Sequence, residues 1–377
     1  MTAVRTVAIA GSGASGMAAA ILLAQGGVEV DVFELRGGLN EHGSGITLQG
    51  NALRVLDRLG VWNEARELGH PFEGLSLRAP GPDAPVVAEL PEVKTGGPDY
   101  PAGMGMYRPD LARVLLRRAL ELGVRVHFGA PVTNLSQTAT GVELEIADAP
   151  AGTFDLLIGA DGVHSLVRSL VGIPTGPEPT GMGIWRTFVS RPAEVEHTEL
   201  YYGGPSYIAG YTPTGDDTMY AFLVEKAQDR SGVSEAEAVE IMRQQSLAYG
   251  GPWESIRADL EAGSRVNYTW FTSHVVPAPW NRGRVVVIGD AAHSCPPTIA
   301  QGAAQALEDA LVLSELLLAA DELDDDLWNA FHSRRIPRAT AVVEASVQLG
   351  RWQIEADREA DAPGLLFGIA HRMAEPA

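Results

Sequence analysis

Three short turns in the sequence combine glycine with an acid or a hydroxyl, and each follows an apolar run: Gly11-Ser12-Gly13-Ala14-Ser15-Gly16, Gly159-Ala160-Asp161-Gly162 and Gly289-Asp290-Ala291-Ala292-His293. The first has the GxGxxG spacing that suits a pyrophosphate. Gly11 permits the tight turn, Gly13 lets backbone N–H groups approach the anion, and Gly16 lets a helix pack closely on a strand. Glu34 stands 18 residues after Gly16, where a carboxylate accepts hydrogen bonds from a ribose 2′-OH. The chemistry this predicts is dinucleotide binding with the anion at a helix N-terminus. Taken alone, the turn leaves NAD and FAD both open.

The elements that must position these turns follow from apolar spacing. Residues 4–36 read as strand, glycine turn, helix and strand, a βαβ unit. Leu53, Leu56, Leu59 and Trp62 share one helical face. Pro109, followed by Leu111, Val114, Leu115, Ala119 and Leu122, marks a second helix. Residues 124–128, 132–135, 142–146 and 154–158 are strand-like. From 172 to 279 the texture changes to short, alternating, aromatic-rich segments, which predict an antiparallel sheet with a polar helix near 234–245. Residues 284–288 then form a continuous β run suited to burial on both faces, and a long helix follows to residue 318. The acidic run 321–326 reads as a helix cap, and 329–360 as a helix kinked at Pro337.

The expected fold class is therefore α/β, a Rossmann-type nucleotide-binding domain with an inserted mixed or antiparallel sheet and C-terminal helices. The nucleotide domain is assigned to 1–75, 106–171 and 280–322. The substrate domain is assigned to 76–105 and 172–279, and the C-terminal helices to 323–377.

Composition narrows the function classes. With 28 basic against 48 acidic residues the formal charge is −20, so the chain lacks the Lys/Arg cluster that nucleic acid requires. Cys295 is the single cysteine. There is no disulfide framework and no CxxC or HExxH spacing for a metal, and a reducing cytoplasm fits. The apolar stretch near 310–320 carries Ser314 and Glu315 and is too short to span a bilayer. The expectation is a cytoplasmic protein, monomer or homodimer, with neither nucleic acid nor membrane as partner.

Together the three turns resemble those of the class A FAD-dependent aromatic monooxygenases, which have the p-hydroxybenzoate hydroxylase fold. Arg108-Pro109-Asp110-Leu111 and Arg335-Ile336-Pro337-Arg338-Ala339 extend the likeness over nearly the whole chain. Through Ala300-Gln301-Gly302-Ala303-Ala304 it looks most similar to the salicylate hydroxylase and 6-hydroxynicotinate 3-monooxygenase branch, although Thr298 stands where some members carry a histidine. The resemblance implies FAD, with Gly11, Gly13, Ala14, Ser15 and Gly16 on its pyrophosphate and Glu34 on the adenosine ribose. Leu35 would be among the cofactor-binding residues and Arg36 would lie near the adenine side; the family more often has its basic residue where this chain has Leu35. Arg108 would reach the flavin or its phosphates, Gly289 and Asp290 the ribityl chain, and Pro297, Gly302 and Ala303 the isoalloxazine edge. Asp161 would serve both FAD and the donor, NADH or NADPH, which binds transiently without a GxGxxG of its own.

The reaction implied by the resemblance begins with reduction of FAD by NAD(P)H. O₂ then gives the flavin C4a-hydroperoxide, and one oxygen atom passes to a small aromatic or N-heteroaromatic phenol or acid. Water must be kept out. A phenol has a pKa of roughly 10, so a base or hydrogen-bond acceptor near its hydroxyl would raise its nucleophilicity. The candidates are His42, Tyr207, Tyr211 and Arg186. His42 occupies a position that faces the flavin in the pyridine-hydroxylating members, or is a polar loop residue. Tyr207 and Tyr211 share a strand face with Ala209 by period-two alternation; in that branch the face looks onto the substrate, and otherwise it is packing. Arg186 pairs with a substrate carboxylate or is simply exposed. His164 and His293 read as supports for their turns, and Cys295 as a small loop residue. The alternative substrate is a polyketide, antibiotic or alkaloid intermediate.

Overall fold

The computed structural model describes residues 2–41, 43–147 and 149–377. Its first strand, Thr6–Ala10, is an unbroken apolar run with Val7, Ala8 and Ile9 fully buried. Such a strand must be covered on both faces, and it lies inside a six-stranded sheet. The order is Asn281–Arg282, Val285–Val287, Leu156–Gly159, Thr6–Ala10, Glu29–Glu34, Arg125–Phe128. All neighbours are parallel except the first pair. The three glycine/acid turns follow three of these parallel strands, Thr6–Ala10, Leu156–Gly159 and Val285–Val287, and so emerge at one end of the sheet.

Helix Ala14–Gln25 is apolar on all sides, as a helix buried on all sides should be. It packs between helices Gly302–Ala319 and Arg108–Glu121. Its alanines let the neighbours approach closely, and a Cβ added at Gly26 would collide with Leu318.

The second large sheet has eight strands in the order His293–Ser294, Val266–Val275, Glu178–Ser190, Thr218–Lys226, Ile208–Pro213, Thr198–Tyr201, Gly74–Arg78, Val86–Pro91. It is antiparallel except where Thr198–Tyr201 runs parallel to Gly74–Arg78. The third turn is stitched to this sheet, because His293 and Ser294 pair with Val275 and His274. One face carries Trp185, Tyr201, Ala209, Tyr211 and Leu223 and is covered by helices Glu235–Ser246 and Trp253–Glu261, forming a second core. The opposite face carries Ile184, Ile208, Phe222 and Val224 and, by register, Arg186, Phe188 and Tyr220.

Asp324 caps the next helix by accepting from the Leu327 N–H at 2.9 Å. That helix, Asp325–Glu355, continues as one element through Pro337 and ends at Ala356 in a left-handed conformation, short of the expected residue 360. A last helix, Ala362–Ala374, follows. Among the described residues no helix is long and apolar enough to cross a membrane.

Candidate active site

The three turns touch one another. A Cβ on Gly11, whose φ is +101°, would lie 2.3 Å from the Ala160 carbonyl oxygen, and one on Gly289 would lie 2.6 Å from Ser15 Oγ. Only glycine fits either contact, so the spacing that identifies the turns in sequence also lets them converge. Gly13 differs. A Cβ there would meet nothing within 4 Å, and helix Ala14–Gln25 begins behind it with no side-chain cap and no acid in its first turn. Its first N–H groups therefore have no side-chain acceptor, as a helix start that takes a pyrophosphate needs.

Glu34 stands beside this opening. Its Oε2 accepts from the Ser12 N–H at 2.9 Å and the Ser12 hydroxyl at 2.8 Å, and its Oε1 accepts from the Arg36 N–H at 2.9 Å. Burial pushes this carboxyl up, but the bonds from Arg36 and Ser12 outweigh it and hold the pKa below the usual value. Leu35 is 72% exposed, and Arg36 is exposed too, so both lie at the surface beside the acid.

Asp161 has an immediate task of its own. Its carboxylate accepts from the Ser165 hydroxyl and from the N–H groups of Leu166 and Val167, closing the start of the short helix Leu166–Leu170. Arg168, buried on that helix, donates to the carbonyls of Val163 (3.0 Å) and Ala291 (2.9 Å) and so ties the second turn to the third.

Asp290 is the exposed member of an otherwise buried turn. Its carboxylate has no hydrogen-bond partner among the described residues, although protein encloses it on nearly every side, as at the floor of a cleft. Burial raises its pKa, opposed by His293 and Arg108. Beyond it, Pro297–Ile299 forms a single 3₁₀ turn, Ala300 adopts φ +52°, and helix Gly302–Ala319 starts with no side-chain cap and no acid in its first turn. The N–H groups of Gly302 and Ala303 are thus left for a ligand. An uncapped helix start at Gly13, an oriented acid at Glu34, an unpartnered enclosed acid at Asp290 and a second uncapped helix start at Gly302 fit a flavin dinucleotide laid across the turns.

A family model described as an FAD binding domain matches residues 5–346. The chain belongs to the FAD-binding domain family. Its relatives include 3-amino-4-hydroxybenzoate 2-monooxygenase from Streptomyces cremeus, 30% identical over 89% of this chain and 84% of that protein. The 3-hydroxybenzoate 6-hydroxylase of Klebsiella oxytoca is 28% identical over 97% of this chain and 93% of its own length. Among solved structures, the tetrameric form of 2-methyl-3-hydroxypyridine-5-carboxylic acid oxygenase superposes with a TM-score of 0.79 at 26% identity, covering 98% of this chain and 96% of that one. The protein is an FAD-dependent monooxygenase with the class A flavoprotein hydroxylase fold.

In this FAD-dependent monooxygenase, the sheet face opposite the second core looks toward the nucleotide domain. The Tyr220 hydroxyl is 2.8 Å from Thr47 Oγ1, and the rings of Phe188 and Tyr107 lie 4.3 Å apart. A cavity of about 580 Å³ lies alongside, lined by Ser44, Tyr107, Arg186, Phe188 and Asn267 among others. Arg186 donates to Thr269 Oγ1 at 2.8 Å and forms no ion pair among the described residues. Burial lowers its pKa to about 10; Tyr220 opposes the shift and Arg108 adds to it. Arg108 opens helix Arg108–Glu121 with its N–H on the Ser44 carbonyl at 3.3 Å.

The expectation that Tyr207, Ala209 and Tyr211 share a substrate-facing side is corrected for Ala209 and Tyr211. Strand Ile208–Pro213 begins after Tyr207, which packs with Ile208, Phe222 and Val224, while Ala209 and Tyr211 point into the second core. Tyr211 is fully buried, donates to Glu199, and shares a 3.1 Å hydrogen bond with the Tyr201 hydroxyl. Burial, with Tyr201 and Glu199 nearby, drives its pKa far up. It is held away from the cleft. His42 lies outside the described residues. Burial pushes the Cys295 thiol up to about 12, which disfavours the reactive thiolate. Among the described residues no group of His, Cys, Asp or Glu could hold a metal.

Sequence reasoning missed Asp309 and, although it quoted Arg335 within a family motif, missed that the two pair in the core, where both are fully buried; it also missed the hydrogen bonds of Thr47 with Tyr220 and of Thr269 with Arg186. Gln305, Glu308 and Asp309 stand out in the Ala/Leu-rich helix Gly302–Ala319; that contrast was the available signal.

Proposed function

We propose that this monooxygenase uses NAD(P)H and O₂ to hydroxylate a small aromatic or N-heteroaromatic ring that carries a hydroxyl and a carboxylate. FAD, once bound and reduced, supplies the activation of O₂. Gly11, Gly13, Ala14, Ser15 and Gly16 hold its pyrophosphate, Glu34 its ribose, Asp290 its ribityl chain, and Pro297, Gly302 and Ala303 its ring edge. Arg108 stands over its phosphates, and Asp161 keeps the second turn in place.

Arg186 carries the substrate reading. In a chain of charge −20, it is a guanidinium at a cavity wall, without an acid partner among the described residues, beside a second arginine, Arg108. A substrate carboxylate would neutralise it through charge-assisted hydrogen bonds. Phe188 and Tyr107 supply the apolar wall that an aromatic ring needs and that water must not cross. The names of the three proteins given above agree, since each describes an oxygenase or hydroxylase acting on a hydroxylated aromatic acid.

The test is oxygen uptake by the FAD-loaded protein with NADH or NADPH. A panel of hydroxybenzoates, aminohydroxybenzoates and hydroxypyridine carboxylates should contain compounds that stimulate uptake and yield a product gaining one oxygen atom. If only compounds without a carboxylate did so, the assignment of Arg186 would fall.

A further inference from the structure

We propose that Asp309 is the positioning residue of the cofactor turn, a buried carboxylate that clamps Gly289 and His293 and thereby aims Asp290 into the cleft. The proposal rests on the placement of FAD at Asp290 argued above.

Asp309 lies fully buried in the second turn of helix Gly302–Ala319. Its Oδ2 accepts from the Gly289 N–H at 2.9 Å and sits 2.7 Å from His293 Nε2. These contacts grip both ends of the 289–293 turn, and Asp290 lies between them. Arg168 on the Ala291 carbonyl and the Val276 N–H on the Ala292 carbonyl, at 2.9 and 2.8 Å, hold the middle. Every residue of the turn except Asp290 is thus held by the protein, which leaves the Asp290 side chain free for a ligand. His293 also packs over Trp280 with ring centroids 5.3 Å apart, which fixes the plane of the imidazole.

The clamp is itself held from a second helix. Arg335 Nε donates to Asp309 Oδ1 at 2.8 Å, while its Nη1 donates to Glu308 Oε2 at 2.9 Å. Glu308 Oε1 in turn accepts from Asn51 at 3.0 Å, and Asn51 hydrogen-bonds Gln301, the residue at the mouth of helix Gly302–Ala319. One guanidinium therefore joins the turn carrying Asp290 to the helix start at Gly302, the two places assigned to the ribityl chain and the ring. A buried network with every member satisfied fixes one geometry, and here that geometry is the spacing across which the flavin is held.

Asp309→Asn keeps the shape but weakens the bonds to His293 and Arg335, and His293→Phe keeps the ring on Trp280 while removing the donor to Asp309. Both are compared with Asp290→Asn by titrating FAD into the deflavinated full chain, by the visible absorption and circular dichroism of bound flavin, and by the apo-protein's melting temperature. We expect Asp309→Asn to weaken FAD about tenfold or more, and His293→Phe by about threefold to tenfold, with altered flavin dichroism in both. Asp309 would be structural only if folded Asp309→Asn and His293→Phe bound FAD within about twofold of wild type with an unchanged flavin spectrum while Asp290→Asn bound it weakly. Should Asp309→Asn fail to fold, His293→Phe alone decides by the same readings. An Asp290→Asn protein that binds FAD normally would remove the placement at Asp290, and this inference with it.

Discussion

Gly11 and Gly13, two residues apart, stand in opposite surroundings: a Cβ on the first would lie 2.3 Å from the Ala160 carbonyl oxygen, and one on the second would meet nothing within 4 Å. The first glycine is required by the fold, and on the proposed placement of FAD the second serves the ligand. Gly11→Ala should therefore destabilise even the apo protein, by about 1–3 kcal/mol from backbone strain plus the collision. Gly13→Ala should cost the apo protein about 1 kcal/mol or less through the helix cap and still weaken FAD about tenfold or more. Thermal melts of the deflavinated proteins, paired with FAD titrations, separate the two. Equal losses of apo stability would mean that Gly13 is also structural.

Asp290 should show the conflict between stability and binding. Burial raises its pKa, so the folded apo protein binds its proton more tightly than the unfolded chain does. Above the usual carboxylate range the ionised form then works against folding. Asp290→Asn should raise the apo melting temperature at pH 7 while weakening FAD. The stabilisation should shrink as pH falls through the raised pKa and the wild-type carboxyl takes up its proton. A lower melting temperature at pH 7 would contradict the placement of this side chain.

Arg186 should separate substrates by charge. Replacing it with Gln removes the guanidinium and leaves a polar group near Thr269. For a hydroxylated aromatic acid, KM should rise about 10- to 100-fold, the worth of a charged hydrogen bond. The corresponding phenol without a carboxylate should be turned over as it is by the wild type. Steady-state oxygen uptake with each pair of compounds measures this. Equal effects on both would show that Arg186 serves the fold or the cofactor.

Tyr211 should behave as a residue of the second core. Tyr211→Phe takes a donor from buried Glu199, which Arg78 still neutralises. It should lower stability by about 1–2 kcal/mol and leave kcat and KM for the aromatic acid near wild type. A large fall in kcat with an unchanged melting temperature would return Tyr211 to the cleft.

The sequence made the cofactor turns legible because each is a local device whose glycines and acids are spaced by the geometry of a strand, turn and helix. Gly11, Gly13, Glu34 and Asp290 were all accessible to that reasoning. Tyr211 was not, because alternation tells which residues share a face and not which face is covered. The covering helices Glu235–Ser246 and Trp253–Glu261 follow later in the chain. The alternation itself failed at Tyr207, which precedes the strand's first residue. The pairing of Asp309 with Arg335 escaped for a different reason: the two meet across 26 residues and two helices. Each alone looks like an ordinary charged residue on a helix surface.

The same buried pair sets the response to acid. Burial alone would raise the carboxyls of Glu308 and Asp309, but Arg335 and Arg338 outweigh it for Glu308, and His293 and Arg335 for Asp309. Both pKa values fall below their usual 4.5 and 3.8. The unfolded chain then binds more protons than the folded one as pH drops through the ordinary carboxylate range. The stabilisation is complete above that range and is lost as pH falls toward the lowered values. Arg335→Met keeps the bulk but leaves Asp309 with His293 and Glu308 with Arg338, and breaking such a buried cluster should cost about 3–5 kcal/mol at pH 7. With burial less opposed, the two carboxyls should then titrate higher, so the variant's deficit should narrow between pH 7 and pH 5, where these two groups add no pH dependence to the wild type. Melting temperatures of apo wild type and variant across pH 4–7 test this. A deficit that stayed constant with pH would mean that Arg335 acts by packing and does not hold the two carboxylates ionised.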